Sequence, residues 1–493
     1  MHRSKILTNI LDIAASNPNK VILSELHRKF TWEQILKLAR DHHQKIKESC
    51  KHAVVFYADN NANSVAVILA CVENNLTFIP IARDQPEERI RSILKILSLS
   101  KIYDPSTGTF DDYVENENSH ENIFDNVLYI LFTSGSTGSP KGVKISELNL
   151  LSTLQWSRRY FNWKSSDIIG LVTSLNFDIS IFDLFIGLIS NVQVHMFSQV
   201  KNLPKLYSEL LLSQVTSIFS TPSLFSQIAM SKNWKLIHDS KLRQIISGGD
   251  FFVTSDLIFW KKNLTKIEIY NVWGPTETSI VNTAYKVEQS DISEIKMRKP
   301  LPIGSSTPEM IIRICDAESD VVKWIDNDNE IGELVVQGSS VGLGYINNNE
   351  QTQKNFMIVD GVPTYRTGDM GYTEKGLLYL IGRNANLIKY QGYRIDPREI
   401  ETVILESTKF QNACLVIAEG RNLRHELVLL IEVTKNSHAD ISYVKGYLRD
   451  KVPSYMVPKK VLFVESIPFT ENGKLDRKKC RLIAEESGRL KID

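Results

Sequence analysis

Paired cysteines are missing from this chain. Its five cysteines, Cys50, Cys71, Cys315, Cys414 and Cys480, are odd in number and scattered, with no C-x-x-C pair. That usage argues against a disulfide framework and a zinc site, and fits a reducing cytoplasm. An excess of one charge is missing too: Lys plus Arg number 58 and Asp plus Glu 57, a formal charge of +1. No extended basic surface for nucleic acid is announced. Apolar runs stay well short of membrane-spanning length, so no membrane association is expected. Near the start, Ile6 to Ala15 is interrupted by Asn9 and Asp12 and has no cleavage site, which predicts an amphipathic helix and not a signal peptide. The remainder, 42% hydrophobic and 23% charged over 493 residues, is ordinary globular composition at a length that suits two or three domains.

What is present is concentrated in Leu131-Phe-Thr-Ser-Gly-Ser-Thr-Gly-Ser-Pro-Lys-Gly-Val143. Glycines interleaved with hydroxyl side chains let backbone N–H groups and hydroxyls converge on one anion, and Lys141 adds a full charge. Lys141 follows Pro140 and precedes Gly142, so the spacing of a Walker A loop is not met. The apolar run Val127 to Phe132 predicts a buried strand that delivers the loop.

Along the chain, Thr31 and Gln34 form a capping-box pattern before a helical segment reaching Ser49. Strands are expected at Ala53–Tyr57, Leu76–Ile79, near Ile102, at Ile168–Val172 and at Thr216–Phe219. Helices are expected at Ser64–Val72, Pro86–Leu97 and Pro204–Leu212, with residues 105 to 125 as a polar surface loop. Such alternation predicts layered α/β architecture. From Glu309 the texture becomes strand-rich, with a hairpin turn across Val322 to Asn329 and a strand at Gly332–Gln337. Beyond a break at Gly382 to Asn386, a helix at Pro397–Glu406, strands at Ala413–Ile417 and Leu427–Ile431 and a helix at Ile441–Asp450 make a compact last unit. The expected fold is a large N-terminal layered α/β domain with a strand-rich subdomain, 1–383, and a small mobile α+β C-terminal domain, 384–493.

The string TSGSTGSPKG resembles the phosphate loop of the adenylate-forming superfamily, which holds acyl-CoA ligases, luciferases and the amino-acid adenylation domains of nonribosomal peptide synthesis. Four further strings match in order: Tyr270-Asn-Val-Trp-Gly-Pro-Thr-Glu277, Tyr365-Arg-Thr-Gly-Asp369, Gly382-Arg383 and Pro468-Phe-Thr-Glu-Asn-Gly-Lys-Leu-Asp-Arg477. The resemblance implies ATP held by Thr133, Ser134, Gly135, Ser136, Thr137, Gly138, Lys141, Gly248, Asn271, Trp273, Gly274, Thr276, Asp369, Arg383 and Lys474. In that scheme Thr276 meets the α-phosphate and Glu277 a magnesium ion, which prefers hard oxygen ligands. Trp273, where the family usually has Tyr, offers a face to adenine, Asp369 takes the ribose hydroxyls, and Lys474 neutralises charge at the reacting phosphate. The family's hinge position, commonly Asp or Lys, is Ala385 here.

Leu175-Asn-Phe-Asp-Ile-Ser-Ile-Phe-Asp183 resembles the string in which amino-acid-activating members place an acid against the substrate ammonium. Asp178 is that acid. A competing reading makes Asp178 the cap of a helix beginning at Ser180. The family's pocket positions carry over to Ile179, Phe182, Phe219, Ile246, Gly248, Val272, Ile280 and Val281, a set without charge or polar side-chain atoms. It implies a neutral aliphatic amino acid of intermediate size, such as isoleucine, valine, leucine or proline, with D-alanine disfavoured by the bulk of the walls. Sixteen residues follow Arg477, too few for a carrier domain. The expectation is therefore aminoacyl transfer to the phosphopantetheine thiol of a separate carrier protein. The alternatives are an acyl- or aryl-CoA ligase of the same fold and a catalytically silent nucleotide-binding scaffold.

Overall fold

The computed structural model describes residues 5–113, 121–133, 140–198, 200, 202–231, 233–252, 254–292, 300–307, 309–319, 321–383, 388–391, 393–407, 410, 412–419, 425–433, 440–468 and 475–489. The chain divides into two compact units. The larger comprises Met1–Arg83, Leu97–Leu131 and Gly142–Asn384, and the smaller Asp84–Ile96, Phe132–Lys141 and Ala385–Asp493. Among the described residues no helix is long and apolar enough to cross a membrane.

The larger unit is built on an eight-stranded sheet in the order Thr283–Lys286, Glu268–Trp273, Gln244–Ser247, Ser217–Ser220, Ile168–Leu171, Gln193–Met196, Val21–Glu25 and Arg28–Thr31. Its six inner strands run parallel and both edge strands are antiparallel. Because parallel strands are covered on both faces, polar and apolar residues alike are enclosed in them, as in Gln244–Ser247, where every residue is buried. A six-stranded sheet follows the order Thr109–Asp112, Lys101–Asp104, Ala53–Tyr57, Thr77–Ile81, Tyr129–Thr133 and Lys141–Ile145. The strand at Thr109–Asp112 and a 3₁₀ turn at Glu121–Phe124 lie where a plain loop was expected. Lys101–Asp104 supplies an edge on which the polar strand can pair with its outer face in solvent.

Helix Asp178–Ser190 is predominantly apolar, with Ile179 through Ile189 buried, Ser180 and Asp183 among them, as befits a helix packed on every side. Each fully buried Phe or Ile there contributes about 1.5–3 kcal/mol through removal of apolar surface from water. The capping box at Thr31 and Gln34 is formed, and that helix spans Trp32–Ile46.

The strand-rich region is a seven-stranded sheet in the order Pro302–Gly304, Leu377–Arg383, Val362–Glu374, Gly332–Gly338, Met310–Cys315 and Trp324–Ile325, with Phe356–Val359 pairing Val362–Glu374. The hairpin turn falls between Cys315 and Trp324, which pair directly, and so lies upstream of the Val322 to Asn329 turn expected. The smaller unit holds a three-stranded sheet of Ala413–Glu419, His425–Glu432 and Lys460–Val464, with helices Pro397–Glu406, Ile441–Arg449 and Arg477–Arg489.

Candidate active site

The chemistry-bearing residues of the larger unit gather where its parallel strands end. Gln244–Ser247 leads into Gly248, and Glu268–Trp273 leads into Gly274-Pro275 and a single 3₁₀ turn, Thr276–Thr278. Carboxyl ends of parallel strands are the usual place for a ligand crevice in open α/β sheets.

The Gly274 turn tolerates no side chain. A Cβ there would lie 2.4 Å from the Ile280 carbonyl oxygen and 2.9 Å from Asn282 atoms. Thr278 Oγ1 donates to Asn282 Oδ1 at 2.5 Å, and Asn282 Nδ2 donates back to the Thr278 carbonyl at 2.8 Å. Ile280, buried and β-branched, has φ of +81°, a conformation such residues almost never adopt. The Asn282 N–H to the Trp273 carbonyl at 2.8 Å, and Ser279 Oγ to the Ser340 carbonyl at 3.0 Å, hold the segment in that strained form.

Three long-range hydrogen bonds organise the residues that this turn presents. Trp273 Nε1 donates to Asp369 Oδ2 at 2.9 Å, tying the expected adenine face to the expected ribose acid. Tyr345 Oη donates to Glu277 Oε1 at 2.9 Å. Thr276 Oγ1 donates to Asp178 Oδ2 at 2.5 Å. Asp369 and Glu277 are each 1% exposed, so their carboxylates are presented at fixed positions.

Asp178 opens its helix and does not cap it. The helix begins at Asp178, two residues before Ser180, and the N-cap is Phe177, whose side chain makes no capping bond. Asp178 Oδ1 accepts the Ile179 N–H at 2.8 Å, and the residue keeps a partly exposed edge. Burial pushes its pKa up and the nearby Glu277 carboxylate adds to that, whereas the Thr276 and Ile179 donors pull the other way. An acid at the first turn of a helix is also favoured by the helix dipole.

The apolar pocket positions are packed against one another. Phe182 meets the Phe219 ring edge-on at 5.5 Å between centroids. A Cβ at Gly248 would lie 2.7 Å from Val272 Cγ2 and 3.4 Å from Phe219 Cε2. Ile179, Phe182, Phe219, Ile246, Val272, Ile280 and Val281 are all 7% exposed or less.

Not all expected residues enter this cluster. Asn271 is buried and spends its amide on the Pro302 carbonyl at 2.8 Å. Arg383 stands opposite Asp369 in the strand ladder. Thr133 ends a strand with its buried hydroxyl unpartnered among the described residues, and Lys141 begins the next. Ser134, Gly135, Ser136, Thr137, Gly138, Ala385 and Lys474 lie outside the described residues. Tyr345 was missed by sequence reasoning. Its signal is the glycine pair Gly342 and Gly344: a Cβ on Gly342 would meet the Lys144 carbonyl at 2.9 Å and the Glu277 carbonyl at 3.0 Å.

A family profile described as AMP-binding enzyme matches residues 96–346, and one described as AMP-binding enzyme C-terminal domain matches 399–474. The chain belongs to the AMP-binding family of adenylate-forming enzymes. Among its relatives, the D-alanine--D-alanyl carrier protein ligase of Bacillus licheniformis is 30% identical, over 97% of this chain and 99% of the relative. The ligase of the same name from Bacillus cereus strain B4264 is 26% identical over 96% and 98%. The adenylation domain AlmE of Vibrio cholerae, solved with glycyl-adenosine-5'-phosphate, shares the fold at a TM-score of 0.80 and 21% identity, over 98% of this chain and 99% of that one. The o-succinylbenzoate CoA synthetase of Bacillus subtilis has a TM-score of 0.80 at 18% identity, over 96% and 97%. As an AMP-binding enzyme the chain is an adenylate-forming ligase.

Proposed function

We propose that this AMP-binding enzyme activates a small neutral α-amino acid, D-alanine first among the candidates, to its adenylate with release of pyrophosphate. It then passes the aminoacyl group to the phosphopantetheine thiol of a separate carrier protein. The observation that carries the reading is Asp178: a partly exposed acid, its carboxylate aligned by two donors, directly followed by the first of the apolar positions. An ammonium is strongly disfavoured in such surroundings without a charged partner, and a fatty or aryl acid has no use for one. The carrier-protein step and the choice of D-alanine draw support from the relatives' names.

The preference for a small side chain takes its support from the relatives, which are D-alanine--D-alanyl carrier protein ligases. The seven apolar walls, each 7% exposed or less, support a neutral side chain without fixing its size. A methylene in such a pocket discriminates by about 1–3 kcal/mol, so the preference should be graded.

The carboxylate of the amino acid attacks the α-phosphorus of ATP, and the enzyme's contribution is positioning and charge. Among the described residues no three His, Cys, Asp or Glu side chains could hold a metal. One hard carboxylate, Glu277, fits a magnesium ion that shares its remaining ligands with nucleotide phosphates and water, and the ion would neutralise charge on those phosphates. Tyr345, by donating to Oε1, fixes the carboxylate that would hold it.

ATP–pyrophosphate exchange over glycine, both alanine enantiomers, leucine and simple carboxylic acids tests the proposal. Exchange is expected with the smallest amino acids, D-alanine highest and leucine at least ten-fold lower. Exchange driven only by a fatty or aryl acid would replace this reading with that of a CoA ligase.

A further inference from the structure

A cavity of about 440 Å³ opens in the larger unit, its walls including Tyr160, Lys164, Arg243, Glu268, Tyr270 and Lys286. Glu268 is the first residue of strand Glu268–Trp273, Arg243 directly precedes Gln244–Ser247, and Lys164 lies just ahead of Ile168–Leu171. These are the amino ends of parallel strands, whereas Gly248 and Gly274 follow the carboxyl ends of two of the same strands. A strand of this length spans roughly 17–20 Å, so the cavity and the candidate active site lie at opposite ends of the sheet.

Charge on these walls is unbalanced. Lys164, Arg243 and Lys286 face a single carboxylate, Glu268, in a chain whose overall charges nearly cancel. Asp167, 3% exposed, grips Arg243 from behind, accepting from Nε at 2.8 Å and Nη2 at 2.6 Å, and Nη1 donates to Gln244 Oε1 at 2.7 Å. A guanidinium carries five N–H donors, so Arg243 is held in place with two of them unspent. Glu268 accepts from Lys286 and, at 3.2 Å, from Tyr270 Oη, with Arg243 Nη1 4.0 Å away. These donors are therefore already arranged around an oxyanion, and Glu268, its side chain 39% exposed, can yield that place to a ligand.

We propose that this cavity binds a small organic phosphate, its oxygens taken by Lys164, Lys286 and the unspent edge of Arg243, its organic part along the half-exposed ring of Tyr160. A phosphate monoester brings close to two negative charges and several acceptor oxygens, which suits three cations better than one carboxylate does. The volume lies in the range of small-molecule sites and is more than a bare ion requires. Binding here is independent of which acid the enzyme activates.

Equilibrium titration of the full chain with phenyl phosphate, with and without saturating AMP to fill the nucleotide site, tests the assignment. One equivalent is expected to bind, with a Kd that AMP leaves unchanged and that is about three-fold or more below that of inorganic phosphate, through the ring's contact with Tyr160. Lys164→Glu, at an exposed position, should weaken binding about ten-fold, the size of a lost charge-assisted hydrogen bond. Its ATP–pyrophosphate exchange without phenyl phosphate should stay within about two-fold of wild type. Glu268→Gln should tighten binding about three-fold by removing a competing negative charge, a gain that misfolding does not produce. Failure of phenyl phosphate to bind, its displacement by AMP, an unchanged Kd in Lys164→Glu or a weaker one in Glu268→Gln would each overturn the site. Tighter binding of malonate, a dianion without phosphorus, would overturn the ligand class.

Discussion

Asp178 and Asp183 lie five residues apart on one helix, and their surroundings could hardly differ more. Asp178 has a donor on each oxygen and is partly exposed as a residue, whereas Asp183 is 1% exposed and its Oδ2 meets no hydrogen-bond partner among the described residues. Burial pushes both pKa values up, Asp183 well above the usual carboxylate range with nothing to offset it. A carboxylate meant to meet a cation is kept ionisable by donors and by access; one without them is kept as a neutral acid. The contrast separates an acid that can work on a ligand from one that only fills the core.

The largest effect should come from removing the first acid. Asp178→Ala is expected to lower amino-acid-dependent exchange on the order of 10³-fold, since it leaves a buried ammonium unpaired. Asp183→Asn should leave exchange within a few-fold of wild type, and comparable losses in both would erase the distinction between the two acids.

Next in size is Gly274→Ala, whose Cβ would meet the Ile280 carbonyl oxygen at 2.4 Å. A cost of about 2–4 kcal/mol to the turn is expected, with exchange lost more steeply than thermal stability because the turn carries Thr276 and Glu277.

A smaller, pH-dependent effect tests Asp183 itself. Its folded pKa is raised, so the native state holds a proton that the unfolded chain releases above about pH 4. Native stability from this group is complete at low pH and declines as pH rises towards the folded pKa. Asp183→Asn should remove that decline, gaining on wild type between pH 5 and pH 8 in denaturant titrations. Parallel curves would mean Asp183 is ionised in the folded protein.

Smallest is Trp273→Phe, which keeps a ring for adenine but loses the 2.9 Å bond to Asp369. The ATP KM should rise about three- to ten-fold, the net value of one ordinary hydrogen bond, with amino-acid KM unchanged.

Local chemistry was legible in the sequence. The Thr31–Gln34 box forms as read, and Pro397–Glu406 ends at the residues expected, because capping and apolar periodicity act over a few positions. Helix Asp178–Ser190 started two residues early because Phe177 caps it through backbone alone, which leaves no side-chain signature. The strand at Thr109–Asp112 is polar on its outer face and so resembled a loop. Within the site, residue identities came from short strings, but the bonds among them did not. Thr276 to Asp178, Trp273 to Asp369 and Tyr345 to Glu277 span 98, 96 and 68 positions, and no local pattern encodes such pairings.

The rate of adenylate formation with D-alanine relative to propionate, measured side by side in wild type and in Asp178→Asn, bears most directly on a charged acid receiving a charged amine. The ratio should be large in wild type and fall towards one in the variant. An unchanged ratio would contradict the account.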